Sequence, residues 1–145
     1  MSKHVITKVT VRELGNGKVE NTNQKESPWL CTPASIFPDF RERITDYFGH
    51  HSLIIVEIET DTGIVGVGSC GTANAGIKPV IDQHFAPLLI GEDPFKVELL
   101  WSKMYRSSGR FGRRGVAISA ISGVDIALWD IMGKALDVPV YDLLG

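Results

Sequence analysis

The residues in this chain best placed to do chemistry are glycines, arginines and histidines; no ready-made nucleophile set stands among them. Gly66-Val67-Gly68-Ser69-Cys70-Gly71 reads G-x-G-x-x-G at the end of a strand-like run, with Glu92 and Asp93 about twenty residues further on. On spacing alone this is a dinucleotide fingerprint. That chemistry requires the strand to open a parallel β-α-β unit, so that a pyrophosphate meets a helix N-terminus. Here the strand is the second arm of a hairpin and no strand follows the next helix. The glycines therefore predict a strand edge that bends or packs closely.

A second cluster is basic. From Lys103 to Arg114 the run KMYRSSGRFGRR carries Lys103, Arg106, Arg110, Arg113 and Arg114 with no acid, and Tyr105 and Phe111 are interleaved. Such a run could hold a phosphate, a carboxylate or a nucleic-acid backbone; a solvated helix–helix loop or a contact to another domain is the plainer alternative. Arg41 and Arg43 stand two apart beside Phe40. Guanidinium forks bind carboxylates bidentately, and loops carry binding residues disproportionately; solvent-exposed arginine is again the plain alternative.

The remaining polar groups point to structure. His50 and His51 are adjacent, so in an extended segment they face opposite ways and do not share a metal. His84 lies on an apolar helical stripe, the place for a satisfied, half-buried histidine. Glu57 and Glu59 share the wet face of a strand. Asp125 and Asp130, five apart, diverge by about 140° around a helix and form no catalytic dyad. No Ser/His/Asp or Cys/His set, metal-ligand cluster or P-loop can be assembled.

The elements that must position these groups follow from periodicity. Val5, Val9 and Val11, with Thr7 in series, alternate with Lys8, Thr10 and Arg12, which predicts a strand from His4 to Leu14 ended by Gly15-Asn16-Gly17. LIIVEIET (Leu53 to Thr60) predicts a second strand, and Asp61-Thr62-Gly63 a tight turn into a third, IVGVGSC. The period then changes. Ile77, Val80, Ile81, His84, Phe85 and Leu88 predict a helix over 75–90 with Gly91 as its C-cap and Pro79 tolerated in its first turn. Asp93-Pro94 reads as an N-cap and first helical residue, opening a helix to Tyr105. A third helix over 116–136 carries Ala117, Ile121, Val124, Leu128, Ile131 and Ala135 on one stripe. Ile118, Asp125, Trp129 and Met132 form the next stripe, implying burial on more than one side; the helix ends against Asp137-Val138-Pro139. Strands first and helices afterwards predict an α+β domain, a three-stranded antiparallel meander followed by a three-helix bundle. The segment from Gly15 to His51, with Pro28, Pro33 and Pro38 and the aromatics Trp29, Phe37 and Phe40, has the length of a lid or binding loop.

Composition bounds the rest. With 145 residues, 43% hydrophobic and 22% charged, the chain is one globular domain. A whole eight-fold β/α barrel needs about 250 residues, so no barrel is present here. Two cysteines, Cys31 and Cys70, are too few for a disulfide framework and read as free thiols. The net charge of −2 argues against a dedicated nucleic-acid binder. The N-terminus lacks an apolar signal region and no run approaches about 18 apolar residues, so a cytoplasmic chain without a membrane partner is expected.

LIIVEIETDTGIVGVGS, LLIGEDPFKVELLW and above all GVAISAISGVDIALWDIMGKALDVPVYDLLG resemble the enolase superfamily. More narrowly, they are similar to the N-terminal capping domain of the mandelate racemase/muconate lactonizing branch. TPASIFPDFRERITDYFG and GRFGRRG look most like acid-sugar dehydratases of the L-rhamnonate type. The resemblance implies that 1–145 is the capping domain with 15–51 as its lid and specificity loop, helped by the shorter connection between strands two and three. It implies a lyase, a hydro-lyase acting in sugar acid catabolism, whose C-terminal barrel holds a magnesium ion, removes the proton α to the carboxylate and expels the β-hydroxyl to leave a 2-keto-3-deoxy sugar acid. No catalytic group and no metal ligand is then expected in this chain, which would be inactive without the barrel. Arg43, with Arg41 as the fallback, corresponds to the substrate-binding arginine of the rhamnonate type, and Trp29 joins it. Pro28-Trp29 stands where that type has a histidine before the tryptophan, so a histidine contact to the sugar is not expected. The implied partners are the chain's own barrel and an acid-sugar substrate. The competing expectations are a stand-alone α+β interaction module binding protein or nucleic acid through 103–114, and a homo-oligomer that covers its own exposed surface.

Overall fold

The computed structural model describes residues 4–15, 53–72 and 76–145. Three strands come first: β1 (Ile6–Leu14), β2 (Leu53–Thr60) and β3 (Val65–Thr72), antiparallel and hydrogen-bonded in the order β1-β2-β3. The helices follow as α1 (Ile77–Val80), a π-helical turn (Ile81–Phe85) and α2 (Ala86–Leu89) in continuous succession, then α3 (Val97–Ser107), α4 (Val116–Leu136) and α5 (Val140–Leu144). The expected α+β meander with helices is thus present, and the sheet is open.

The face of β2 that carries Ile54, Val56, Ile58 and Thr60 is buried, while Glu57 and Glu59 lie on the other face and pair with Arg12 and Lys8 at 2.7 Å each. β1 departs from simple alternation. Ile6 is 1% exposed and Val11 is 7% exposed although they are five residues apart. The pairing register slips between Ile6 and Lys8, so Thr7 is an extra residue and the faces exchange there. The core residue at the start of β1 is therefore Ile6, and the exposed Thr7 does not join the inward series.

The π-helical turn has a covalent cause. Pro87 has no N–H to donate to Gln83 and its ring crowds that carbonyl; one turn earlier the chain widens, and the Ala86 N–H reaches the Ile81 carbonyl, five residues back. Gly91 closes the stretch at φ +88°, where its N–H donates to the Ile6 carbonyl at 2.8 Å. Asp93 does not cap α3. Its carboxylate accepts the Phe95 N–H at 3.0 Å in a separate turn, and the helix starts four residues later at Val97. α4 matches its expected bounds, and Asp137 ends it in the left-handed conformation (φ 54°). Val140–Leu144 adds a short helix that periodicity did not indicate.

α4 lies across the buried sheet face. Ala120, Ile121, Val124, Ala127, Leu128 and Ile131 meet Ile54, Val56, Ile58 and Cys70, while Phe85, Leu89, Leu100 and Met104 close the other side. Its second stripe is only half-buried: Ile118, Trp129 and Met132 flank the core. By length and composition α4 could cross a membrane, a property that core helices of soluble proteins share; its apolar positions are spent on this packing.

Candidate functional site

The register decides where the connections converge. Leu14 lies opposite Leu53, and Leu53 opposite Thr72, so the end of β1, the start of β2 and the end of β3 form one end of the sheet. The 16–52 segment leaves from and returns to this end, and the 73–76 connection to α1 starts there. Leu14 and Leu53 are about half exposed at its rim. The Asp61–Gly63 turn between β2 and β3 lies at the opposite end, because Ile6 faces Thr60. There the Asp61 carboxylate accepts the Val5 N–H at 2.8 Å and its own N–H donates to the Val5 carbonyl at 2.9 Å. The β2–β3 turn thus lies away from the strand ends that flank the 16–52 segment, and its expected part beside that segment is corrected. Successive turns of a meander alternate ends, a rule that strand order alone could have supplied.

The direction of α4 brings a third connection to the same end. A Cβ on Gly68 would lie 2.0 Å from the Gly123 carbonyl, and one on Gly66 2.1 Å from the Ala127 carbonyl. α4 therefore runs antiparallel to β3, with its N-terminus beyond Thr72. These contacts also explain the glycine fingerprint: Gly66 and Gly68 are the seat on which α4 lies, on the second arm of a hairpin. No phosphate cradle is formed.

The basic run divides. Lys103 pairs with Glu92, whose carboxyl it holds below the usual range mainly through the hydrogen bond it donates. Arg106 Nε donates to Ser102 Oγ at 3.1 Å. Arg110, Arg113 and Arg114 lie exposed on the turn leading into α4. That turn is ordered around Ser108, fully buried, whose hydroxyl donates to the Tyr105 carbonyl at 3.0 Å and whose carbonyl accepts the Gly112 N–H at 2.7 Å.

Other candidates are structural. His84 Nε2 lies 3.1 Å from Ser107 Oγ and its ring meets Phe111 edge-on at 5.2 Å, a half-buried and satisfied histidine. Asp130 serves β3, while the Asp125 carboxyl is pushed up by burial and, secondarily, by the charge of Glu98. Cys70 is a buried free thiol whose pKa burial pushes up to about 11. Trp29, Arg41 and Arg43, like Cys31, His50 and His51, lie outside the described residues. Among the described residues no three His, Cys, Asp or Glu side chains converge, and Glu57, Glu59, Asp82, Glu92 and Asp130 are each paired with a lysine or arginine. This part of the chain does not fit a magnesium ion.

Comparison with known proteins follows the same outline. The chain is 50% identical to arabinonate dehydratase from Saccharolobus solfataricus across 64% of its own length and 26% of that protein's. It is 33% identical to L-rhamnonate dehydratase from Saccharopolyspora erythraea, covering 97% of this chain and 37% of that one. The solved L-rhamnonate dehydratase from Gibberella zeae superposes on all of it with a TM-score of 0.79 at 31% identity, over 35% of that chain. The chain spans about a third of the length of the curated relatives it matches. Residues 44–145 match the family described as mandelate racemase / muconate lactonizing enzyme, N-terminal domain, and the chain belongs to that family, within the enolase superfamily.

Proposed function

We propose that this chain is the capping and substrate-specificity domain of an acid-sugar dehydratase of the L-rhamnonate type, acting with a C-terminal barrel of the same protein to form a 2-keto-3-deoxy sugar acid. The observation that carries this reading is topological. The strand ends that flank the 16–52 segment, the end of β3 before the 73–76 connection, and the turn before α4 lie at one end of the three-stranded sheet. A lid needs loops of that length held together on a scaffold that does not move with them. The names of the dehydratase relatives supply the reaction class.

In this reading the barrel carries the base, the acid and the carboxylates for magnesium, whose charge would lower the cost of removing the α-proton. This chain binds and excludes water. Arg43, or Arg41 beside it, takes the polar distal end of the sugar acid as a bidentate donor, and Trp29 covers its carbon chain.

The test has two parts. The purified chain, given magnesium and a panel of aldonic acids, should form no 2-keto product; turnover by the chain alone overturns the proposal. In the same protein carrying its barrel, Arg43→Ala should lower kcat/KM for the preferred aldonate by about 100-fold, the scale of a lost charged hydrogen bond. Unchanged kcat/KM in both Arg43→Ala and Arg41→Ala would remove the arginines from the substrate contact.

A further inference from the structure

We propose that the turn from Gly109 to Gly115 is a second carboxylate-binding surface, on which Arg110, Arg113 and Arg114 gather an anionic sugar acid at the end of the domain where the 16–52 segment is attached. The identity of the anion rests on the capping-domain reading; the surface itself rests on placement, charge and rigidity.

Placement follows from α4. Gly123 abuts Cys70, where a Cβ would lie 2.2 Å from the sulfur. From Gly123 back to Val116 the helix rises about 10 Å at 1.5 Å per residue. From Cys70 to the end of β3 at Thr72 the strand advances about 7 Å. The turn before Val116 therefore projects just past the sheet, level with the rim formed by Leu14 and Leu53.

Among the described residues, the charge on this surface has no ion-pair partner. Lys8, Arg12, Lys78, Lys103 and Lys134 each hold a carboxylate within 2.7 Å. Among the described residues, Arg110, Arg113 and Arg114 hold none, although all three are exposed on a chain whose net charge is −2. The turn also ends at the N-terminus of a 21-residue helix with no side-chain cap and no acid in its first turn. The positive end of that helix adds to the same field.

Rigidity distinguishes this turn from a solvated tail. Buried Ser108 accepts the N–H groups of Phe111 and Gly112 at 2.9 and 2.7 Å. A Cβ on Gly112 would collide with Ala117 at 2.2 Å. The arginines are thus presented from fixed backbone, which reduces the ordering cost of binding. Three charges on one turn suit one or two carboxylates better than a nucleic-acid backbone, and Phe111, the adjacent aromatic, is already set edge-on against His84.

The test uses the chain itself and follows the arginine Nε–H resonances by NMR. Sodium L-rhamnonate should shift the signals of Arg110, Arg113 and Arg114 saturably, with at least tenfold weaker apparent affinity in 0.5 M NaCl; followed instead at the backbone N–H signals of Gly109, Gly112 and Gly115, the triple variant Arg110→Gln, Arg113→Gln, Arg114→Gln should bind at least tenfold more weakly than the unsubstituted chain. The neutral alditol L-rhamnitol should produce no shift. Absence of saturable shifts with rhamnonate, or equal shifts with the alditol, overturns the proposal. Inorganic phosphate binding as tightly as rhamnonate overturns the assignment to a carboxylate. None of these readouts involves dehydration, so failure of the capping-domain reading would show separately, as absence of aldonate turnover in the barrel-bearing protein.

Discussion

Asp130 on α4 accepts the backbone N–H of Val67 on β3 at 2.8 Å. The same Asp130 oxygen pairs with Lys134 one helical turn on, and Lys134 Nζ donates to the Val65 carbonyl at 2.7 Å. Together the two side chains satisfy backbone groups of β3, which among the described residues has no strand partner beyond β2, with Val65 and Val67 partly exposed beside them. An unpaired strand edge is a template for pairing with another chain, and this pair closes it.

Asp130→Ala should therefore cost about 1–2 kcal/mol in urea denaturation, from one lost hydrogen bond and a released lysine. It should also promote self-association through β3, seen as a concentration-dependent rise in mass by light scattering. Asp130→Asn, which keeps an acceptor for Val67, should lose only about 0.5 kcal/mol and remain in the wild-type association state.

Gly68→Ala should be far more damaging than Gly71→Ala. A methyl on Gly68 would meet the Gly123 carbonyl, a backbone atom that cannot move aside. Overpacking typically costs about 1–3 kcal/mol, and a clash with backbone belongs at the upper end of that range or beyond it. Gly71 has φ +78° with open space around it, so alanine there should cost only about 1 kcal/mol of backbone strain. Thermal midpoints of the two variants would separate the readings, and equal losses would show that α4 does not rest on Gly68.

Cys70 predicts an alkaline loss of stability. Burial raises its thiol from 9.0 to about 11, so the folded state favours the neutral form. That contribution is complete below pH 9 and disappears as pH rises towards 11. Relative to Cys70→Ala, the chain should lose on the order of 2 kcal/mol across that window. Reaction of the native thiol with a disulfide reagent at pH 8 should also be slow until the chain is unfolded.

Asp125 follows the same sign as Cys70, in the carboxylate range. Burial, and then the charge of Glu98, raise its carboxyl above the ordinary value, so the folded chain gains from its proton only at acid pH and loses that gain as pH rises through the raised value. Asp125→Asn should stabilise the chain at pH 7, by less than about 1 kcal/mol because the group is partly solvated, and should leave stability at pH 3 unchanged. An equal effect at both pH values would exclude charge as the cause.

Much of the architecture was legible in the residues themselves. The alternation in LIIVEIET, the Asp61-Thr62-Gly63 turn and the stripe from Ala117 to Ile131 each encode an element within a few positions, because backbone sterics and amphipathic burial act locally. The family followed from the Ser122–Gly145 run for the same reason: its signature is contiguous. Trp29, Arg41 and Arg43 carry a resemblance of the same contiguous kind, and their test lies in the intact protein.

What only the tertiary structure decided involves residues far apart in the chain. The Thr7 bulge, which puts Ile6 in the core, depends on the partner register of β2. Gly66 and Gly68 acquire a purpose only when α4 lies on them, and Asp130 becomes the guard of an edge 63 residues away. The arginines of the 109–115 turn reach the loop end of the sheet because α4 runs antiparallel to β3. Periodicity gives each helix a buried face, but the direction in which that face is laid down is settled by close packing between surfaces, and close packing has no one-dimensional signature.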